Sequence, residues 1–383
     1  MLSLPKRFRV ASADGLRGEW ELTVGPDVYT VSVIDRRCYA REGPCAAPVA
    51  RLTADPATWL AIDEGDLWGI DAVLARRLVV EGSLDMGARL QTLFSPHGRK
   101  HGPFDLEQIR VDADGIGLSC YVVGQGTPVM VLHGLGASKV SAMPLIPALV
   151  HAGHRVVVPD LPGHGASDKP RTDYTPRFYG RVVRRLMDAL EIERAAVIGN
   201  SLGGRVALEL AFRSPGHLSG LVLLDPAVPG LRIRYLLGFT RVIPSEIGTL
   251  PFPLRERWMR LAIRRLLADP SAFPEAGIQG AAEEFIRIYR DPPARMAFLD
   301  SLRHIVTEPP RPFWGRVRRV RTPALLVWGE DDRLVPVRLA HRLARELADA
   351  ELLILPRVGH VPQFEAPEAT SGAILRFLLS LPR

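Results

Sequence analysis

The stretch AAVIGNSLGGRVALELAF, residues 195–212, decides the fold. An apolar run, AAVI, passes through Gly199-Asn200-Ser201-Leu202-Gly203 into RVALELAF, whose apolar residues recur at helical spacing. A strand that turns straight into a helix through G-x-S-x-G is a nucleophile elbow. Glycine on either side removes a Cβ where the start of the helix crowds the strand, and the tight turn pushes the serine hydroxyl into the open. Serine before a helix is often only a cap. Here the strand, both flanking glycines and Gly204 together favour Ser201 as a nucleophile.

A serine hydroxyl attacks poorly until a base removes its proton, so the elbow predicts a histidine oriented by a carboxylate downstream. LLVWGEDDRLVP follows one apolar run with three acids, and LLILPRVGHVPQFEAP places His360 after the next. In a parallel sheet these strand ends gather along one edge. The oxyanion that forms needs two prearranged donors, one from the residue after the nucleophile and one from an early strand-helix loop. Leu202 supplies the first. VMVLHGLGAS offers Leu135 as the second, with Gly134 and Gly136 allowing close approach of the backbone.

Working outward, six apolar runs alternate with helical stretches after residue 108: VMVLHG, RVVVPD, AAVIGN, LSGLVLLDP, PALLVWG and ELLILP. Strands buried on both faces look like this, and the alternation implies a mostly parallel α/β sheet. The pattern breaks once, from about 230 to 310, where RERWMRLAIRRLL and AAEEFIRIYR imply a helical cap whose apolar side chains select the substrate. Residues 96–107, rich in Pro, Gly, His and charge, form a linker. Before it, WELTV and VYTVSVID alternate as a hairpin, and LTADPATWLAIDEG reads as a strand end and a helix capped by Asp55, opened by Pro56 and stopped by Gly65. Helix, strand and helix follow, which makes residues 1–95 a small α+β domain.

Residues 108–383 resemble the α/β-hydrolase superfamily through HGLGAS, PDLPGHGASDKP, GNSLGG, WGEDDRLVP and VGHVPQFEAPE, in that order. The resemblance implies an acid three residues after Gly329, which is Asp332. Some relatives take it from the end of the sixth strand, where this chain has Asp225, so Asp225 stands as the alternative. Gly329, Glu330 and Asp331 then serve the turn, and His133 and His164 fix their own loops. A serine at the elbow excludes the aspartate-dependent dehalogenases and epoxide hydrolases. GNSLGG is shared with carbon–carbon hydrolases of aromatic-ring degradation, but those usually carry HGxGPG and a Trp after the histidine. HGLGAS and HVPQFE instead point to a carboxylesterase acting on small, apolar or lipid-like esters through an acyl-enzyme on Ser201, with carbon–carbon bond hydrolysis or thioester hydrolysis as alternatives.

The first domain resembles the sterol carrier protein type 2 family over TADPATWLAIDEGDLWGIDAVLARRLVVEGSLDMGARLQTLF, residues 53–94. That resemblance implies an apolar interior for acyl chains or sterols. A self-contained module or a dimerisation surface is the plainer alternative, as is a lipid-transfer protein whose hydrolase half is only a scaffold.

A net charge of +7 over 383 residues is carried almost wholly by Arg scattered among acids, and the densest group, Arg316 to Arg321, reads as a solvated helix face. No nucleic-acid partner is expected. Three cysteines, Cys38, Cys45 and Cys120, lack metal-ligand spacing and imply a reducing compartment. With no apolar run of membrane-spanning length and charge close to the first residue, the expectation is a cytoplasmic protein with no membrane insertion, no metal and no cofactor.

Overall fold

The structure, a computed structural model, describes residues 1–13, 16–94, 106–230 and 255–382. The expected linker at 96–107 falls mostly outside these, as does the first part of the expected cap, 231–254. The chain divides into two compact units, Met1–Gln108 together with Glu275–Glu284, and Ile109–Pro274 together with Phe285–Arg383.

The first unit is built on a five-stranded sheet in the order β3-β2-β1-β4-β5. The expected hairpin is β1 (Gly18–Val24) against β2 (Asp27–Ile34), closed by the two residues between Val24 and Asp27. A third strand, β3 (Arg37–Glu42), follows through Asp35 and Arg36, both at positive φ, 49° and 61°. Positive φ at both loop positions matches the right-handed twist of the flanking strands. β4 (Ala50–Ala54) pairs parallel with β1 and antiparallel with β5 (Leu78–Gly82). Along β4 the buried positions alternate, which leaves one sheet face apolar and one polar.

Helix α1 (Pro56–Glu64) begins as its sequence requires: the Asp55 carboxylate accepts from Thr58 N at 2.8 Å, and Gly65 ends the helix at φ 79°. α2 (Gly69–Leu74) and α3 (Leu84–Thr92) complete the layer. Trp20, Leu22, Val31, Val33, Leu52 and Leu93 are buried in a single core. The Trp20 indole is satisfied by Met86 O at 2.8 Å.

The second unit is an eight-stranded sheet ordered β13-β12-β11-β10-β8-β9-β7-β6. Two strands, β6 (Glu107–Asp112) and β7 (Gly117–Val123), precede the six expected ones, and β7 runs antiparallel to its neighbour. From β8 (Thr127–Leu132) and β9 (His154–Pro159) through β10 (Ala195–Asn200), β11 (Leu218–Leu224), β12 (Ala324–Gly329) and β13 (Ala350–Leu355), every pairing is parallel. Helices α4 (Ile146–His151), α5 (Pro176–Ala189) and α6 (Leu202–Arg213) cross over between strands. Then come α7 (Glu256–Leu266), α8 (Glu275–Tyr289), α9 (Pro292–Thr307) and α10 (Pro310–Val317), with no strand among the described residues of that stretch. α11 (Arg338–Glu346), α12 (Pro362–Glu365) and α13 (Pro367–Ser380) complete the chain.

All six residues of β10 and of β12 are buried, and large side chains such as Trp328 and Phe313 are wholly enclosed. Burying a side chain of this kind contributes about 1.5–3 kcal/mol. This rigid sheet fixes the strand ends that carry the site.

Of the group expected to form a solvated face, Arg318, Arg319 and Arg321 are exposed, but Arg316 is half-buried. Arg316 donates to Glu209 at 3.0 Å and to Glu308 at 2.9 Å, beside the buried Arg205, which bonds the same two carboxylates. A buried acid such as Glu209 needs cations close by, and Arg316 is one of three that answer it. Arg318 does lie outside, paired with Glu346. The three cysteines are free thiols, and burial pushes that of Cys120 up to about 12, so it is inert at neutral pH. No helix among the described residues is long and apolar enough to cross a membrane.

Candidate active site

β10 delivers Ser201 into the left-handed region, φ 51° and ψ −111°, before α6 begins. A non-glycine residue there is strained and is held only by its surroundings. Ser201 N donates to Leu224 O at 3.0 Å, while its carbonyl accepts from Arg205 N and Ala227 N. Closeness of the backbone explains the glycines: a Cβ on Gly199 would lie 2.3 Å from the Gly203 carbonyl carbon, and one on Gly203 would lie 2.1 Å from Leu132 O. The elbow therefore packs directly on the end of β8.

That contact brings the HGLGAS loop beside the serine. A Cβ on Gly134 would sit 3.4 Å from Ser201 Cβ, so Leu135 follows a backbone already touching the elbow. His133 fixes this loop: Nδ1–H donates to Gly134 O at 2.8 Å, and Nε2 accepts from Leu161 N at 2.9 Å. Burial keeps the His133 ring neutral, as that acceptor role requires. His164 holds its own turn through Pro162 O, and burial pushes its pKa down to about 3. Both ring nitrogens of His133 are engaged, whereas His164 Nε2 is buried without a hydrogen-bond partner among the described residues.

The ends of β12 and β13 bring the other two predicted residues together. His360 Nδ1 lies 2.7 Å from Asp332 Oδ2. The other Asp332 oxygen accepts from Leu334 N at 2.7 Å and Val335 N at 2.9 Å. Burial works against charge on Asp332, but the His360 ring and these amides outweigh it and hold its carboxyl below the usual range. With an ionised acceptor at 2.7 Å, the proton belongs on Nδ1, which leaves Nε2 as the basic nitrogen.

Four supporting features were not read from the sequence. The Asn200 amide donates to Leu224 O at 3.1 Å and to His360 O at 3.2 Å, tying the elbow to the histidine loop. Glu365 gathers three amides of that region, Ala268 N, Gly359 N and Val361 N. His360 N donates to Leu266 O at 2.7 Å, so the end of α7 is bonded to the histidine backbone. The fourth is a fully buried ion pair, Lys139 Nζ to Asp160 at 2.9 Å, which locks the HGLGAS loop to the PDLPGHG loop. A Cys, His or Gly motif announces itself, but a lone Lys and a lone Asp far apart in the chain do not.

Residues of α8 and α9 pack on the HGLGAS loop. A Cβ on Gly136 would meet Phe285 at 3.1 Å and Phe298 at 3.4 Å, and both rings stack with Tyr289. α9 is anchored by Asp300, which accepts from Tyr174 N at 2.7 Å, and by Ser301 against the Tyr179 hydroxyl, also at 2.7 Å. An apolar cluster thus packs on the HGLGAS loop, whose Gly134 lies against Ser201.

Comparison with known proteins follows this geometry. The family described as "alpha/beta hydrolase fold" matches residues 127–367, and the "SCP-2 sterol transfer family" matches residues 6–95. The chain is 32% identical over 266 residues to a 2-hydroxy-6-oxo-6-phenylhexa-2,4-dienoate hydrolase of Comamonas testosteroni, covering 67% of this chain and 88% of that protein. It is 31% identical, with the same coverage, to a 2-hydroxy-6-oxononadienedioate/2-hydroxy-6-oxononatrienedioate hydrolase from the same organism. Among solved structures, a 2-hydroxy-6-oxo-6-phenylhexa-2,4-dienoate hydrolase from a Rhodococcus species superposes with a TM-score of 0.60 at 25% identity, covering 72% of this chain and 100% of that one. The chain belongs to the α/β-hydrolase family and carries an SCP-2 sterol transfer domain at its N-terminal end.

Proposed function

We propose that the second unit is a serine hydrolase that cleaves a carbon–carbon bond beside a ketone, with Ser201 as nucleophile, His360 as base and Asp332 as the acid behind it. His360 Nε2 takes the Ser201 proton as the hydroxyl attacks the carbonyl carbon. The N–H groups of Leu202 and Leu135 receive the oxyanion. His360 then returns the proton to the leaving carbon, and water releases the acyl group from Ser201 by the same steps in reverse order.

Carbon is a poor leaving group unless its charge is delocalised. In a 2-hydroxy-6-oxo-dienoate, ketonisation of the enol makes the departing carbanion a conjugated enolate, which a general acid–base site can expel. The observation that supports this reading is that, among relatives at about 30% identity, those named by an activity in the comparison are hydrolases of such dienoates. Ester hydrolysis stands as the second reading because Val361, not Trp, follows His360 and the oxyanion loop reads HGLGAS.

One comparison separates them. The full chain is expected to turn over 2-hydroxy-6-oxo-6-phenylhexa-2,4-dienoate with a kcat/KM at least about tenfold above that for p-nitrophenyl butyrate, or some 1.4 kcal/mol of transition-state preference. The opposite ranking transfers the function to esters.

For the first unit we propose binding of one apolar chain within the side lined by Trp20, Leu22 and Val33, in keeping with its SCP-2 membership. A fluorescent fatty acid is expected to bind the full chain even after Ser201 has been blocked by a covalent phosphonate. Loss of all binding on blocking Ser201 would place the lipid in the hydrolase site and leave the first unit a structural module.

A further inference from the structure

A third carboxyl stands behind the His360–Asp332 pair, and the reaction steps above leave it unused. Asp225 directly follows β11 at φ 42°, fully buried, in a backbone region that a side chain enters only at a cost. One oxygen of Asp225, one of Asp332 and one ring nitrogen of His360 all lie within 4.8 Å of one another. Two carboxylates so close in a buried site cannot both be ionised, so one holds a proton.

The donors decide which. Asp332 accepts from the His360 ring and from two backbone amides. Asp225 Oδ1 accepts one amide, Gly329 N at 3.0 Å, and Oδ2 meets no N–H donor among the described residues. The better-solvated oxygen pair keeps the charge, and a protonated Oδ2 becomes a donor beside an anion.

We propose that Asp225 is a neutral carboxylic acid whose O–H faces the Asp332 carboxylate, making it a positioning residue for the acid of the triad. It works from two sides. Through Gly329 N it holds the start of the loop that carries Asp332, and through its proton it spreads the Asp332 charge so that the Nδ1–H of His360 stays on the ring. The titratable groups that face it are Asp332, His360 and Glu365, from the loops and helix after β12 and β13. Burial first, and then the Asp332 charge, push the Asp225 carboxyl well above the usual carboxylate range, the direction that donor counting gives independently.

This inference rests on the triad reading above, and its test uses signals that persist if that reading fails. In the full chain, Asp225→Asn replaces the acid by an amide that still accepts from Gly329 and donates to Asp332. It is expected to keep kcat within about tenfold of the parent, while Asp225→Ala loses about 100-fold in kcat with little change in KM. As pH rises the parent should lose activity where Asp225 ionises, and Asp225→Asn should lack that limb of the profile.

Stability gives a second signal. An acid whose folded pKa is raised takes up a proton on folding, so the parent loses stability as pH climbs from the unfolded carboxyl value of about 3.9 toward the folded one. The Tm of Asp225→Asn relative to the parent should therefore rise as pH climbs above that unfolded value. Infrared spectra should show a protonated-carboxyl band in the parent that Asp225→Asn lacks. A flat Tm difference with no such band overturns the proposal, even if Asp225→Ala fails to fold. A change in both signals with an inactive parent would instead sink the triad reading and leave the protonated acid standing.

Discussion

Alanine at Ser201 is expected to remove at least ~10³-fold of turnover on any substrate the chain accepts, and alanine at His360 to remove a comparable amount. Each group is useless without the other: the hydroxyl is a weak nucleophile until its proton leaves, and the imidazole has no proton to take if the hydroxyl is gone. The double variant should therefore be hardly slower than either single one. The fold should survive, because the Ser201 side chain makes no capping hydrogen bond to α6 and its strained backbone is held by Leu224 and Ala227. Steady-state rates of the three variants, with far-ultraviolet dichroism as a check on folding, decide the matter. Multiplying losses would show that the two residues act independently and would dissolve the pair.

What the sequence made legible follows from burial. β8 through β13 announce themselves because strands covered on both faces are apolar throughout, and the order of elbow, acid and histidine needs only chain order to be read. β6 escaped because it lies at the edge, mixing exposed and half-buried residues as EQIRVD, with no apolar run. Asp225 was visible as a residue but not as a role. Both it and Asp332 follow apolar strands, and only the count of amides and ring nitrogens around each carboxylate separates an ionised acid from a neutral one. Arg316 was misread because its partners, Glu209 and Glu308, become neighbours only once α6 and α10 pack. The Lys139–Asp160 pair was illegible for the same reason. Spacing along the chain carries period and order, while pairing between distant loops appears only in the fold.

Asparagine at Asp332 is expected to lower kcat by about 10³–10⁴-fold, whereas asparagine at Asp331 should cost no more than about threefold. The two acids are adjacent, yet Asp331 is exposed and Asp332 is 6% exposed, with His360 Nδ1 at 2.7 Å. An amide at 332 can turn its NH₂ toward the ring, where it donates to Nδ1 and forces the proton onto Nε2. The nitrogen that should accept the Ser201 proton then already carries one. Charge is lost as well, so the imidazolium formed during attack faces no anion. The pH dependence of stability should change with it. Asp332 is held below the usual carboxylate range, so the stability it contributes is present above the unfolded value of about 3.9 and is lost as pH falls through its folded pKa. In Asp332→Asn that acid-side loss should shrink. Rates for Asp332→Asn, Asp331→Asn and Asp225→Asn on one substrate give the ranking that matters. A mild effect at Asp332 with a severe one at Asp225→Asn would move the acid to the end of β11. Such a ranking would require His360 Nδ1 to abandon its 2.7 Å partner for a carboxyl that holds one amide where Asp332 holds two.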